Sequence, residues 1–179
     1  GSNGVAYREK SIWTPIGFPE NAGMATVMLE ASDGSLWIGN PTGMFRWDAG
    51  VWRRLAEQDT PGSLSVNTLI EDRDGTLWAA CDGGLLRIRK KSVEPLRAEG
   101  TAATGTAYGL WRTPEGGAWV GFKGRAARLT AREGRLLQTV YLDADVPVSA
   151  LLQDSAGRVW LGTLGGGLFL YQQGSLTLV

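Results

Sequence analysis

Short apolar stretches separated by polar, glycine-rich turns run the length of the chain, a pattern that predicts strands rather than helices. Residues 26–29, 67–70, 108–111 and 149–152 each form one such stretch, and each leads into a turn and a second stretch centred on tryptophan. The tryptophan segments align: Asp33-Gly34-Ser35-Leu36-Trp37, Asp74-Gly75-Thr76-Leu77-Trp78, Glu115-Gly116-Gly117-Ala118-Trp119 and Ala156-Gly157-Arg158-Val159-Trp160. Trp37, Trp78, Trp119 and Trp160 recur at a spacing of 41 residues. Beyond each tryptophan come a second turn, a third stretch such as residues 44–47 or 168–171, and a fourth such as 51–55 or 136–140. Four short strands in a unit of about 40 residues is the signature of a β-propeller blade.

The repeat assigns units at residues 24–55, 64–96, 105–142 and 146–179. Residues 4–16 align without a gap on 43–55, so they read as the third and fourth strands of a further, half blade. The expected fold is therefore all-β, a propeller fragment of about four and a half four-stranded antiparallel blades, preceded at residues 1–3 by what reads as a cloning scar.

Local chemistry explains the repeated positions. Gly34, Gly75, Gly116 and Gly157 supply the positive φ of a tight hairpin, and in the first two units an Asp before the glycine supplies a side-chain hydrogen bond. The indole three residues on is suited to a blade-to-blade interface, provided its N–H finds a partner. Tryptophans and turn glycines are accordingly expected to be scaffold.

Composition narrows the function. The 18 Lys and Arg cancel the 18 Asp and Glu among the 179 residues, which speaks against a nucleic-acid or polybasic membrane surface. Histidine is absent, which removes Ser-His-Asp and Cys-His nucleophiles, histidine zinc sites and an imidazole switch. The one cysteine, Cys81, forms neither an internal disulfide nor a metal cluster. No run approaches the ~18 apolar residues of a membrane span. No cofactor or metal is expected, and Asp33, Asp72, Asp74 and Asp154 read as turn formers.

The run Asp154-Ser155-Ala156-Gly157-Arg158-Val159-Trp160-Leu161-Gly162, and nearly as well Glu71-Asp72-Arg73-Asp74-Gly75-Thr76-Leu77-Trp78, resembles the two-component regulator propeller repeat. The third unit departs from it, with Thr113 where Asp72 and Asp154 stand and Arg125-Ala126 in place of Gly-Leu. The resemblance implies a segment of a sensor on the periplasmic or extracellular side of a membrane-anchored bacterial receptor, commonly a hybrid two-component histidine kinase. Streptogramin lyase-like propellers share the Asp-Gly-x-Leu-Trp flavour, but their chemistry relies on histidine, so the fragment is expected not to be an enzyme.

Function on a propeller rides on the loops at the mouth of its channel. The turns between second and third strands differ from unit to unit while their neighbours repeat. Asn67, Tyr108, Ser149, Phe122, Lys123 and Thr163 are the candidate ligand contacts, with Phe122 and Tyr108 as stacking faces for a small polar ligand such as a glycan. The competing account is that these side chains merely face channel water, and that the propeller works by protein interaction or assembly with no small-molecule ligand. Arg87, Arg89, Lys90 and Lys91, and Arg125, Arg128, Arg132 and Arg135, read as solvated charges of outer strands. Four and a half blades leave apolar end faces, from which self-association into a ring-completing homodimer is expected.

Overall fold

The computed structural model describes residues 4–19, 22–55, 65–89, 92–96, 105–130 and 136–179. The described residues are all-β, with five antiparallel sheets and no helix. Strands β1 (Ala6–Glu9) and β2 (Ile12–Pro15) form a two-stranded hairpin. The first four-stranded blade is β3 (Val27–Glu30), β4 (Leu36–Asn40), β5 (Gly43–Asp48) and β6 (Val51–Arg54). The second is β7 (Val66–Glu71), β8 (Leu77–Cys81), β9 (Gly84–Arg89) and β10 (Ser92–Pro95). The third is β11 (Gly109–Arg112), β12 (Ala118–Phe122), β13 (Arg125–Leu129) and β14 (Leu136–Tyr141). The fourth is β15 (Val148–Gln153), β16 (Val159–Thr163), β17 (Leu168–Gln172) and β18 (Ser175–Leu178). Each sheet is a meander, and the innermost strands β3, β7, β11 and β15 touch in succession. This is the β-propeller arrangement, run through four consecutive blades.

The turn between the first two strands is built by short-range hydrogen bonds. Gly34, Gly75, Gly116 and Gly157 all have φ between 77° and 92°. Asp33 accepts hydrogen bonds from the Ser35 amide (3.0 Å) and hydroxyl (2.5 Å), and these hold its carboxyl below the usual carboxylate range. The Ser35 hydroxyl oxygen in turn accepts from the Trp37 indole at 2.9 Å. In the fourth blade Asp154 accepts directly from the Trp160 indole at 3.0 Å and from Arg158 Nε at 2.7 Å, and its pKa falls to about 2, the indole contact contributing most. The departure at Thr113 costs nothing locally. Its hydroxyl donates to the Gly116 carbonyl at 2.7 Å, and the buried Asp72 reaches across from the second blade to accept from the Gly117 amide at 3.2 Å.

Strand alternation decides what each blade buries. In β8, Leu77, Ala79 and Cys81 face the first blade and join a cluster with Trp37, Met44 and Val66, while Trp78 and Ala80 face the third. In β12, Val120 and Phe122 point back to the second blade and Trp119 points on to the fourth. Every repeat tryptophan thus lies on the face turned to the following blade, and Trp37, Trp78 and Trp119 are buried there. Cys81 sits in the first of these interfaces, where burial pushes its thiol up to about 12. Trp160 departs from the expectation of equal burial. It occupies the same strand position but is only half-buried, because its face of the last sheet is open: Leu152 beside it is 44% exposed and Leu168 40%. The Arg158 guanidinium, 5.5 Å from the ring centroid, partly covers it.

At the other end of the array Phe18 covers the first blade. Its ring meets Phe45 and Trp52 edge-on, each at 5.1 Å between centroids, and the Trp52 indole donates to the Gly17 carbonyl at 2.5 Å. The second strand of the third blade, β12, comes so close to the innermost strand of the fourth, β15, that no side chain fits at Gly121. A Cβ on Gly121 would fall 2.0 Å from the Val148 carbonyl oxygen.

Candidate functional site

The turns β4–β5, β8–β9, β12–β13 and β16–β17 gather at one end of the blades, and the Asp-Gly turns lie at the other, since each strand reverses the chain. At the first end the candidate residues are positioned by stitching between neighbouring blades. Asn67, exposed at the head of β7, donates through Nδ2 to the Ala107 carbonyl at 2.9 Å and to Asp82 Oδ1 at 3.3 Å. Tyr108, half-buried, is anchored by its amide to the Gly121 carbonyl at 2.8 Å. The exposed Lys123 pairs through Nζ with Asp145 Oδ2 at 2.6 Å. That contact, aided by the nearby Tyr108, raises the Lys123 pKa above the ordinary lysine value. Ser149 is half-buried within β15. Thr163 closes its own turn, with its hydroxyl donating to the Gly167 carbonyl at 2.7 Å and accepting from the Gly166 amide at 3.1 Å.

Phe122 is a correction. It is 1% exposed, packed with Leu110 and Leu129 between the second and third blades, and offers no stacking face to a ligand. The Arg125 guanidinium lies over its ring at 4.8 Å. Counting strand parity from Trp119 puts Phe122 on the opposite face, against the preceding blade, so the signal was present in the alternation. Two acidic groups at this end were not singled out from the sequence: Asp82, beside Asn67, and Asp145, beside Lys123. The pairs Asn67–Asp82 and Lys123–Asp145 place amide, ammonium and carboxylate groups at this end of the blades, groups suited to hydrogen bonding with a polar molecule.

The arginines also sit differently from the expectation of solvated outer strands. Arg87 and Arg128 belong to the third strands β9 and β13, directly across from Trp78 and Trp119, with side chains only 16% and 30% exposed. Each is paired, Arg87 with Glu94 at 2.6 Å and Arg128 with Glu115 at 3.1 Å. Lys90, Lys91, Arg132 and Arg135 lie outside the described residues. Among the described residues no cluster of three acidic or cysteine side chains is placed to hold a metal ion.

With this geometry in hand, comparison with known proteins is direct. The family described as two component regulator propeller matches residues 60–83 and 142–165, which run through the tryptophan turns of the second and fourth blades. Two of the four blades thus match the two-component regulator propeller repeat. No curated protein matches the sequence. Among solved structures, the extracellular domain of a hybrid two component system from B. thetaiotaomicron superposes with a TM-score of 0.77 at 17% identity, covering 99% of this chain and 25% of that one. Virginiamycin B lyase from Staphylococcus aureus superposes with a TM-score of 0.75 at 15% identity, covering 99% of this chain and 64% of the lyase. A gluconolactonase from Xanthomonas campestris gives 0.64 at 16% identity, over 98% of this chain and 67% of that one. These repeats therefore span about a quarter of the two-component extracellular domain and under two thirds of the lyase. At such identities the likeness is one of fold, a fold that sensors and enzymes share.

Proposed function

We propose that this two-component regulator propeller segment is part of the extracytoplasmic sensor of a membrane-anchored bacterial receptor, and that its channel-mouth turns bind a small polar ligand such as a glycan. The observation that carries the reading is the contrast between the two ends of the blades. The glycine turns before the tryptophans recur every 41 residues, whereas the opposite end differs in every blade, with Lys123 and Thr163 in its turns and Asn67, Tyr108 and Ser149 at the heads of the inner strands. A periodic scaffold with one variable end is how a propeller carries a site without disturbing its packing. The family match supports the receptor context. An enzymatic reading has less support, because the chain has no histidine and no nucleophile is paired with a base at the mouth among the described residues.

A thermal-shift screen with neutral and acidic saccharides tests the proposal. A ligand at 100 times its Kd adds about 2.7 kcal/mol of stability. Its effect should vanish in the double variant Asn67→Ala/Tyr108→Ala, and a hit that survives the pair puts the site elsewhere.

One observation favours a second reading, that of an assembly module: the row Leu152, Trp160 and Leu170 on the last sheet is the counterpart of faces that the preceding blades bury. A second copy stacked on that row would make a homodimer in continuity with the blade array. Light scattering at micromolar concentration is expected to give twice the 19.2 kDa mass of the chain, and a monomer rejects this reading.

A further inference from the structure

The three interfaces between successive blades are built from matching rows, and one row breaks the rule. Cross-strand register sets Trp78, Arg87 and Glu94 side by side on the second blade, and the arginine and glutamate form an ion pair. On the third blade the same row is Trp119, Arg128 and Gln138, and the Gln138 amide donates to the Tyr171 hydroxyl of the fourth blade. On the first blade the row is Trp37, Arg46 and Arg53, so two guanidinium groups stand directly across from each other. Like charges at opposed positions destabilise a strand pair. Arg46 is held by Asp33 at 3.2 Å and Asp48 at 3.3 Å, and its Nε is buried with no partner. Among the described residues Arg53 makes no ion pair.

The opposing row on the second blade is apolar, Leu77, Ile88 and Val93. Between the two rows lies a groove of about 1250 Å³, flanked across the gap by Arg73 from the β7–β8 turn. The carboxylates that border the groove are already committed: Asp33 to Arg46 and Ser35, Glu71 to the Ser32 amide at 2.8 Å and hydroxyl at 2.6 Å, and Asp74 to the Thr76 amide at 3.0 Å. Arg73, like Arg53, makes no ion pair among the described residues. Two guanidinium forks thus border an apolar-floored cleft, and none of the described carboxylates that line it pairs with them. A local charge conflict beside a concave, partly apolar surface is the kind of inconsistency that marks a site rather than a scaffold.

We propose that the groove between the first and second blades binds an organic anion, whose carboxylate or sulfate group is held by Arg53 and Arg73 and whose apolar body lies on Leu77, Ile88 and Val93. The guanidinium fork matches the two oxygens of such a group, and the anion replaces the glutamate that the second blade supplies from its own strand as Glu94. This site is independent of the mouth reading: it uses the flank of the blades and shares no residue with Asn67, Tyr108 or Lys123.

Isothermal titration calorimetry with 2-naphthoate, and with inorganic sulfate as the anion lacking an apolar body, tests it. The wild-type protein and the Lys123→Gln variant are expected to bind 2-naphthoate alike, with affinity at least about tenfold above that for sulfate. Arg53→Gln and Arg73→Gln, each an exposed position, are each expected to lose about tenfold in 2-naphthoate affinity. Arg53→Glu should abolish binding yet raise the melting temperature, because it recreates beside Arg46 the pair that Arg87 makes with Glu94. Undiminished binding in both glutamine variants, sulfate binding as tightly as 2-naphthoate, the absence of 2-naphthoate binding at millimolar concentration, or a lowered melting temperature in Arg53→Glu would each overturn the proposal.

Discussion

Trp78→Ala is expected to lower the free energy of unfolding by about 3–5 kcal/mol, measured by urea denaturation. The side chain is fully buried, covered on its open face by Ala107, Leu110 and Ala118 of the third blade and flanked by complete sheets on both sides. Truncation removes a large apolar surface and leaves a cavity between two sheets whose inner strands are already in contact and cannot close over it. Its indole N–H has no partner, so the substitution sacrifices no hydrogen bond and the loss is one of packing. Trp160→Ala is the comparison that isolates the cause. The same residue at the same repeat position, half-exposed on the open face, should cost less than half as much. Equal losses at the two sites would mean that the tryptophan stabilises its own hairpin and not the joint between blades.

Gly121→Ala is expected to be the second large effect, a loss of about 1–3 kcal/mol from a single added methyl group. That methyl would sit 2.0 Å from the Val148 carbonyl oxygen and 2.9 Å from its carbonyl carbon. These are backbone atoms of the next blade's innermost strand, so no rotamer change relieves the clash and β12 and β15 must separate. Gly162→Ala, one repeat later, is the control. Its new Cβ would find its nearest contact in the Ala150 Cβ at 3.1 Å, within its own sheet, with no following blade to displace. Comparing the two denaturation midpoints separates backbone crowding from the intrinsic cost of replacing glycine in a strand.

The contrast between these residues shows what the sequence makes legible. The 41-residue spacing of the tryptophans and of the turn glycines reveals the all-β fold and the four-stranded repeat, because both positions recur in every unit. Trp160 escapes a reading that treats repeats as equivalent, since burial belongs to the pair of blades and not to the repeat. Phe122 reads in the sequence as a loop aromatic because it sits next to a variable turn; only its phase relative to Trp119 assigns it to the core. The adjacency of Arg46 and Arg53 is hidden in a different way. They are seven positions apart in the chain, and nothing but cross-strand register sets them side by side. Asp145 likewise comes to Lys123 from 22 residues away, through the connection into the fourth blade.

The buried Cys81 has a consequence for how the molecule comes apart. Its thiol, the only one in the chain, faces the first blade from the last position of β8, and burial keeps it protonated and unreactive near neutral pH. An alkylating reagent reaches it only when the first and second sheets part. The rate of its modification is therefore a clock for the opening of one particular seam. Opening that leaves this seam closed, such as fraying of the fourth blade at the far end, passes without being registered.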